Sequence, residues 1–306
     1  MKEHKFIWQN GKLVDWKDAK VHVLSHGLHY GSSVFEGIRV YNTDNGGAFF
    51  RLHDHIKRLY NSAKIYNINI PFTLEEMKSA CREVVLSNDL GKGAYIRPIA
   101  FKGYGEMGVA GMMNAPAECA IAAWEWGAYL GANAITEGVD VCVSSWNRVA
   151  PNTIPTLAKA GGNYLSSILI TTEAKRNGYS EGLALNTEGY VSEGAGENIF
   201  IALDGCLYTP PISSAILNGL TRDTVLKIAK KLNLEVIQQN IPRELLYIAD
   251  EIFLTGTAVE ITPVKSVDKY QVADGLRGPI TKQFQDEFFG LFNGSKVDNL
   301  GWLELV

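Results

Sequence analysis

One lysine, Lys159, stands in the run Ala158-Lys159-Ala160-Gly161-Gly162, directly after a loop interrupted by Pro151 and Pro155. Small neighbours let a bulky planar group approach the lysine tip, and a partly desolvated ammonium has a lowered pKa that makes it a nucleophile toward carbonyls. A second segment, GYVSEGAGEN (189–198), sets Glu193 after a short strand and ahead of two glycines. A carboxylate that meets a pyridine nitrogen keeps that nitrogen protonated. Each residue also has an ordinary reading. Most lysines are solvated surface groups. A glutamate beside Gly194 and Gly196 suits a turn, and a lone Gly-x-Gly carries little specificity.

Around these residues, apolar runs of strand length alternate with helical periods, which reads as a mixed α and β protein. Residues 6–8 and 12–14 flank Asn10-Gly11, a dipeptide that supplies the positive φ angles of a tight turn, and predict an opening β-hairpin. From Leu52 the apolar positions Ile56, Leu59, Ala63 and Tyr66 recur at helical spacing and predict a helix that carries Arg58 beside its buried stripe. Strands are expected over 94–101 and 119–126, and the period of two puts Tyr95 and Arg97 on one face of the first. Between Gly127 and Gly138 the composition shifts to Ala and Gly. This predicts an interdomain linker over 128–137, between a smaller domain, 1–127, and a larger one, 138–306, that carries Lys159. In that second half, strands are expected over 139–146, 182–186, 198–202 and 251–255, the last running into Gly256-Thr257, with a helix over Tyr164–Arg176. Val225, Ile228, Ala229 and Leu232 mark another helix, whose start at Thr221-Arg222-Asp223 offers Thr221 or a neighbour as its cap.

At 306 residues the chain is long enough for one large or two medium domains, since single hydrophobic cores stop growing near about 250–300 residues, and two are expected. Hydrophobic residues make up 46% and charged residues 20%, which argues against the disordered, fibrous and membrane classes. The formal net charge of −4 comes from 29 basic and 33 acidic residues interspersed without a basic block, and no nucleic-acid partner is expected. The start MKEHKFIWQNGKLVDW has no apolar h-region, and no apolar run reaches the roughly 18–20 residues that span a bilayer. A cytoplasmic protein with no membrane partner is expected. Cys81, Cys119, Cys142 and Cys206 lie far apart with no CxxC pair, and read as reduced thiols rather than a zinc site or disulfide framework. His26 and His29 lack a third ligand at suitable spacing, so no metal is expected, and helix or turn packing is their reading.

Five ordered segments extend the case: HYGSSVFEGIRVY (29–41), SSWNRVAPNTIPTLAKAGGNYL (144–165), GYVSEGAGENIF (189–200), LNGLTRDTV (217–225) and LTGTAVEITPV (254–264). Together they resemble the class IV (fold type IV) pyridoxal 5′-phosphate (PLP) aminotransferases, and among them the bacterial branched-chain amino acid aminotransferases. The likeness runs through nearly the whole chain, including the ending FFGLFNG and GWLELV. It implies a two-domain fold of mixed α+β and α/β type, like that of D-amino acid aminotransferase, with the active site at the domain interface. It also implies reversible transfer of an amino group between L-leucine, L-isoleucine or L-valine and 2-oxoglutarate, by a homo-oligomer of two or more copies.

The resemblance further implies roles by position. Lys159 would carry PLP as a Schiff base and shuttle the proton between substrate Cα and the cofactor carbon. Glu193 would pair with the pyridine nitrogen and Tyr164 with the 3′-oxygen. Arg58 would clamp the phosphate with its planar fork, helped by backbone N–H groups at Leu220 and Thr221 and by the Thr257 hydroxyl; Leu217 and Gly256 complete the cofactor set. Tyr30, Phe35, Trp124, Trp126 and Tyr129, otherwise ordinary core aromatics, would line an apolar substrate pocket. Arg97 would bind the distal carboxylate of glutamate, while the N–H groups of Thr257 and Ala258, with the Tyr95 hydroxyl, would receive the α-carboxylate. The alternative activities are those of a related class IV enzyme, a D-amino acid aminotransferase or an aminodeoxychorismate lyase. The joint presence of Lys159, Glu193, Tyr164 and Arg58 argues against a binding protein that has lost the chemistry.

Overall fold

Asn10 and Gly11 take positive φ angles of 48° and 96°, and so close a hairpin between Phe6–Gln9 and Lys12–Asp15, as the Asn-Gly pair predicts. In the computed structural model, which describes residues 2–127 and 129–306, this hairpin forms one edge of a sheet. The sheet has eight strands among the described residues, all paired antiparallel. Its order runs Leu303–Leu305, Gly46–Phe50, Ile38–Thr43, Ala94–Lys102, Ala117–Trp124, Phe6–Gln9, Lys12–Asp15, with Ser33–Phe35 added on Ala94–Lys102. Two helices supply the rest of its core. Leu52–Ile65 buries Ile56, Leu59 and Ala63, three of the four positions of the predicted stripe, while Tyr66 is its C-cap. Leu74–Ser87 starts at Thr73, which forms a reciprocal capping box with Glu76, and buries Met77, Cys81, Val84 and Val85. Side chains of this size contribute about 1.5–3 kcal/mol each when fully buried.

This first unit takes in the residues up to Trp126 and also Ala158–Gly162 and Leu291–Val306. The lysine segment therefore belongs with the N-terminal sheet and not with the second domain, where the sequence reading puts it. Backbone pairing explains the difference. Phe35 N–H donates to Lys159 O at 3.0 Å, Lys159 N–H donates to Ser62 Oγ at 2.9 Å, and Val34 bridges to Ala160. The C-terminus returns for the same reason, since Leu303–Leu305 pairs with Gly46–Phe50 and Arg51 N–H donates to Trp302 O.

The second unit comprises Gly127–Leu157 and Asn163–Gly290. Its nine-stranded sheet, counted among the described residues, is mixed, with the order Val191–Gly194, Glu181–Leu185, Val139–Val143, Glu260–Val267, Glu251–Gly256, Asn198–Leu203, Cys206–Thr209, Val236–Gln238, and Tyr270–Gln271 on Glu260–Val267. Val139–Val143 runs parallel to both of its neighbours. Helices Tyr164–Arg176, Leu220–Lys231 and Pro279–Gly290 accompany it. The predicted linker is part of this unit. Its first residue, Ala128, lies outside the described residues, but Ala134–Glu137 is a short helix that buries Ala134 in the core and accepts a bond from Gln285 Nε2 at Ile135 O. Ala134 and Gly138 are buried there, while Gly131 and Ala132 are exposed. The four cysteines are free thiols, and no helix of the described residues is long and apolar enough to cross a membrane.

Candidate active site

In the first unit the helical period places His55 and Arg58 one turn apart on Leu52–Ile65, and both reach Glu36, whose side chain is fully buried. Arg58 donates through Nε to Glu36 Oε1 at 2.6 Å and through Nη2 to Oε2 at 2.8 Å, while His55 Nδ1 lies 2.7 Å from Oε2. Burial alone would raise the Glu36 pKa, but the Arg58 and His55 charges and hydrogen bonds hold it far below the usual carboxylate range. His55 is lowered by burial, which outweighs the pull of Glu36. The arginine fork expected to grip a phosphate thus already grips a carboxylate. A cation 13% exposed has to be neutralised, and Glu36 does so.

Both Glu36 and His55 bind a proton less readily in the folded chain than in the unfolded one, so acid favours unfolding. His55 gives its full contribution above its ordinary value of 6.5 and loses it as the pH falls below that; Glu36 behaves likewise below 4.5. Urea unfolding is expected to show a loss of about 1–3 kcal/mol between pH 7 and 4. His55→Gln should flatten the part of the profile above pH 5, and an unchanged slope there would count against this pairing.

Lys159 and Arg97 share one aromatic ring. Lys159 Nζ lies 5.0 Å and Arg97 Cζ 4.7 Å from the centre of Phe35. Arg97 also lies 5.5 Å from the Tyr95 ring and 5.9 Å from the Trp124 ring, and its Nη2 donates to the Tyr95 hydroxyl at 3.4 Å. Trp126 meets Tyr95 edge-on at 4.3 Å. Among the described residues no acidic side chain pairs with Arg97, and its buried Nε has no hydrogen-bond partner. Gly37 completes the wall, because a Cβ there would fall 1.8 Å from the Tyr95 hydroxyl. Tyr30 is not part of this group: it is 45% exposed on the short helix His26–Tyr30, with its ring against His26. Both His26 ring nitrogens are engaged, by Ser32 Oγ at 2.7 Å and Gly108 O at 3.0 Å, which is the packing role read from sequence.

In the second unit Glu193 lies on Val191–Gly194, buried to 5% exposure. Its Oε2 accepts from Leu217 N–H at 3.0 Å and from Asn198 Nδ2 at 3.1 Å, and its Oε1 lies 2.8 Å from Arg148 Nη2. Asn198 Nδ2 also donates to Leu217 O, so the turn before Leu220–Lys231 is tied to Glu193. That helix begins at Gly219, where a Cβ would lie 2.0 Å from Asn198 Oδ1. No side chain caps it: Thr221, one of the expected caps, is buried inside its first turn, and the N-cap is its near neighbour Gly219. Such a helix start suits an anion. Gly256 ends its strand, and Thr257 and Ala258 form the turn to Glu260–Val267. Tyr164 opens Tyr164–Arg176 half-buried, and Tyr129 is 43% exposed.

Residues 33–267 match the family model described as Amino-transferase class IV. The chain belongs to the class IV aminotransferases. It is 55% identical over 305 residues to the branched-chain-amino-acid aminotransferase of Escherichia coli (strain K12), covering 100% of this chain and 98% of that protein. The crystal structure of the branched-chain amino acid aminotransferase of Escherichia coli superposes with a TM-score of 0.97 at 55% identity, covering 99% of both chains. The T.th. branched-chain amino acid aminotransferase, solved in complex with N-(5′-phosphopyridoxyl)-L-glutamate, superposes with a TM-score of 0.94 at 45% identity, also covering 99% of both.

For a class IV aminotransferase, sequence reasoning passes over Glu36, His55 and Arg148. The signals are present. Glu36 is the one acidic residue of HYGSSVFEGIRVY, and Arg148 is the one cation of SSWNRVAPNTIPTLAKAGGNYL ahead of the lysine. A charge carried in a segment of mostly small and apolar residues has to be compensated if it is buried.

Proposed function

We propose that this class IV aminotransferase uses PLP on Lys159 to move the amino group reversibly between L-leucine, L-isoleucine or L-valine and 2-oxoglutarate. The observation that carries the substrate reading is Arg97, held by the Phe35, Tyr95 and Trp124 rings with no acidic partner among the described residues. Apolar rings suit a branched aliphatic side chain, and an unneutralised guanidinium suits the distal carboxylate of glutamate. The full-length likeness to branched-chain aminotransferases supports the same pair of substrates.

The residues present fit the cofactor: a carboxylate for a protonated ring nitrogen, an arginine, and a helix start without a side-chain cap for a phosphate. PLP, when bound, supplies the electron sink for negative charge developing at the substrate Cα. Lys159 Nζ anchors it and then carries a proton to and from that carbon. Glu193 holds the ring nitrogen, and Tyr164 donates to the 3′-oxygen. Arg58, positioned by Glu36, donates to the phosphate, which Leu217, Leu220, Thr221, Gly256 and Thr257 help to bind. Thr257 and Ala258 N–H groups, with the Tyr95 hydroxyl, receive the α-carboxylate, while Phe35, Trp126 and Tyr129 contribute the apolar surface. The chain acts as a homo-oligomer. In support, Val23, Leu28, Tyr104 and Val109 are exposed on two segments joined by the Ser25–Tyr104 bridge and the His26–Gly108 bond.

Single-turnover absorbance spectra test this reading. L-leucine, L-isoleucine, L-valine and L-glutamate should each convert the bound cofactor to its amine form, while D-alanine and aminodeoxychorismate leave it unchanged. Conversion by D-alanine but not by the L-donors would transfer the chain to the D-amino acid branch of the family.

A further inference from the structure

Glu193 and Arg148 form an ion pair that water barely reaches, since the two residues are 5% and 7% exposed. A carboxylate removed from water favours its neutral form unless a charge or several donors hold it ionised. Here the two oxygens are treated differently. Oε2 takes two neutral donors, Leu217 N–H and Asn198 Nδ2, whereas Oε1 takes the guanidinium. The two residues flank one strand, Glu181–Leu185. Arg148 N–H donates to Leu185 O at 2.8 Å, and Val191–Gly194, which carries Glu193, is registered with Val191 opposite Leu185 and Gly194 opposite Leu183. The backbones that carry the two side chains are thus anchored beside each other, with Glu193 in the irregular step of register between Val191 and Gly194. Arg148 Nε is buried without a hydrogen-bond partner among the described residues. An unmade hydrogen bond on a buried cation is costly, and a neutral side chain would serve packing better.

We propose that Arg148 is a positioning residue that keeps Glu193 ionised and thereby holds the ring proton of the cofactor on its nitrogen. This rests on the reading of Glu193 given above. One proton shared between a pyridine nitrogen and a carboxylate has two placements, N–H⁺ with carboxylate or N with carboxylic acid. The guanidinium lies against the carboxylate, so moving the proton to the ring moves positive charge away from Arg148 and is favoured. Without that cation the proton drifts toward Glu193, and the ring withdraws electrons less strongly.

The test uses holoenzyme loaded with PLP labelled with ¹⁵N in the ring, comparing wild type, Arg148→Met, Arg148→Gln, Arg148→Lys and Glu193→Gln. The ring-nitrogen chemical shift reports protonation directly, and the pH midpoint of the visible absorbance reports it through the lysine linkage. A less charged ring makes that linkage more basic. Glu193→Gln and Arg148→Met should both move the ¹⁵N shift toward the neutral value and raise the midpoint by about one pH unit. Arg148→Gln, which keeps a donor but no charge, should do the same, and Arg148→Lys should stay near wild type. If Arg148→Met fails to fold, the Gln and Lys variants carry the comparison. A shift in Glu193→Gln but in no charge-removing Arg148 variant would overturn this proposal and leave the Glu193 reading intact. A wild-type shift in Glu193→Gln would overturn both. Lower thermal stability of Arg148→Met with a wild-type ¹⁵N shift would make the pair purely structural.

Discussion

Lys159→Ala is expected to lower transamination by on the order of 10⁵-fold while leaving the protein folded. The two halves of that result have separate origins. The lost group is the one that would carry a proton to and from the reacting carbon, and its neighbours across the shared ring cannot replace it: Phe35 offers a ring face and Arg97 a permanently charged cation. The fold, by contrast, holds this segment through its backbone. Lys159 N–H to Ser62 Oγ, Phe35 N–H to Lys159 O, and the burial of Ala158 and Ala160 at 1% exposure each persist when the side chain is cut to Ala. Circular dichroism and a thermal midpoint close to wild type would establish the second half. Borohydride reduction of the wild-type holoenzyme followed by peptide mapping addresses the first, since the label should appear on the peptide containing Lys159. Label on another lysine, or appreciable turnover by the Ala variant, would sink the assignment.

How much of this can be read from the sequence differs by residue, for identifiable reasons. The hairpin at Asn10-Gly11, the helix carrying Arg58 and the strand carrying Tyr95 and Arg97 follow from local rules of turn chemistry and periodicity, and those elements form where the sequence places them. The domain assignment of Lys159 is not local. It depends on backbone bonds to Ser62 and Phe35, residues distant in sequence, and no property of AKAGG announces them. The start of Leu220–Lys231 shows a third case. Thr221 is a good capping residue by type, yet Asn198 Oδ1 presses on the chain at Gly219, so the cap falls on a glycine and the threonine turns inward. The partners of Arg58 and Glu193 belong to the same class: a lone charge shows that compensation is needed, but only the fold reveals that Glu36 and Arg148 provide it.

Arg97→Ala is expected to impair one half-reaction selectively. An arginine on this strand face can serve as a substrate ligand or as a brace held by an internal ion pair. The structure weighs against the brace, because no acidic side chain meets Arg97 among the described residues and its Nε lies buried without a partner. Its neighbours are the rings of Phe35, Tyr95 and Trp124 and the Tyr95 hydroxyl. Those contacts stabilise a cation by aromatic faces and leave an anion as the natural missing partner. A carboxylate desolvated without its counter-ion is disfavoured by about 2–5 kcal/mol. L-glutamate and 2-oxoglutarate should therefore lose a factor of tens to thousands in kcat/KM, whereas L-leucine and L-valine, which carry no distal charge, should change by only a few fold. Some loss for every donor is expected through Tyr95, whose hydroxyl gives up its contact with Arg97 Nη2, so the ratio between donors is the informative quantity. Half-reaction kinetics measured separately for L-glutamate and L-leucine read that ratio, and equal losses for the two would remove Arg97 from the substrate site.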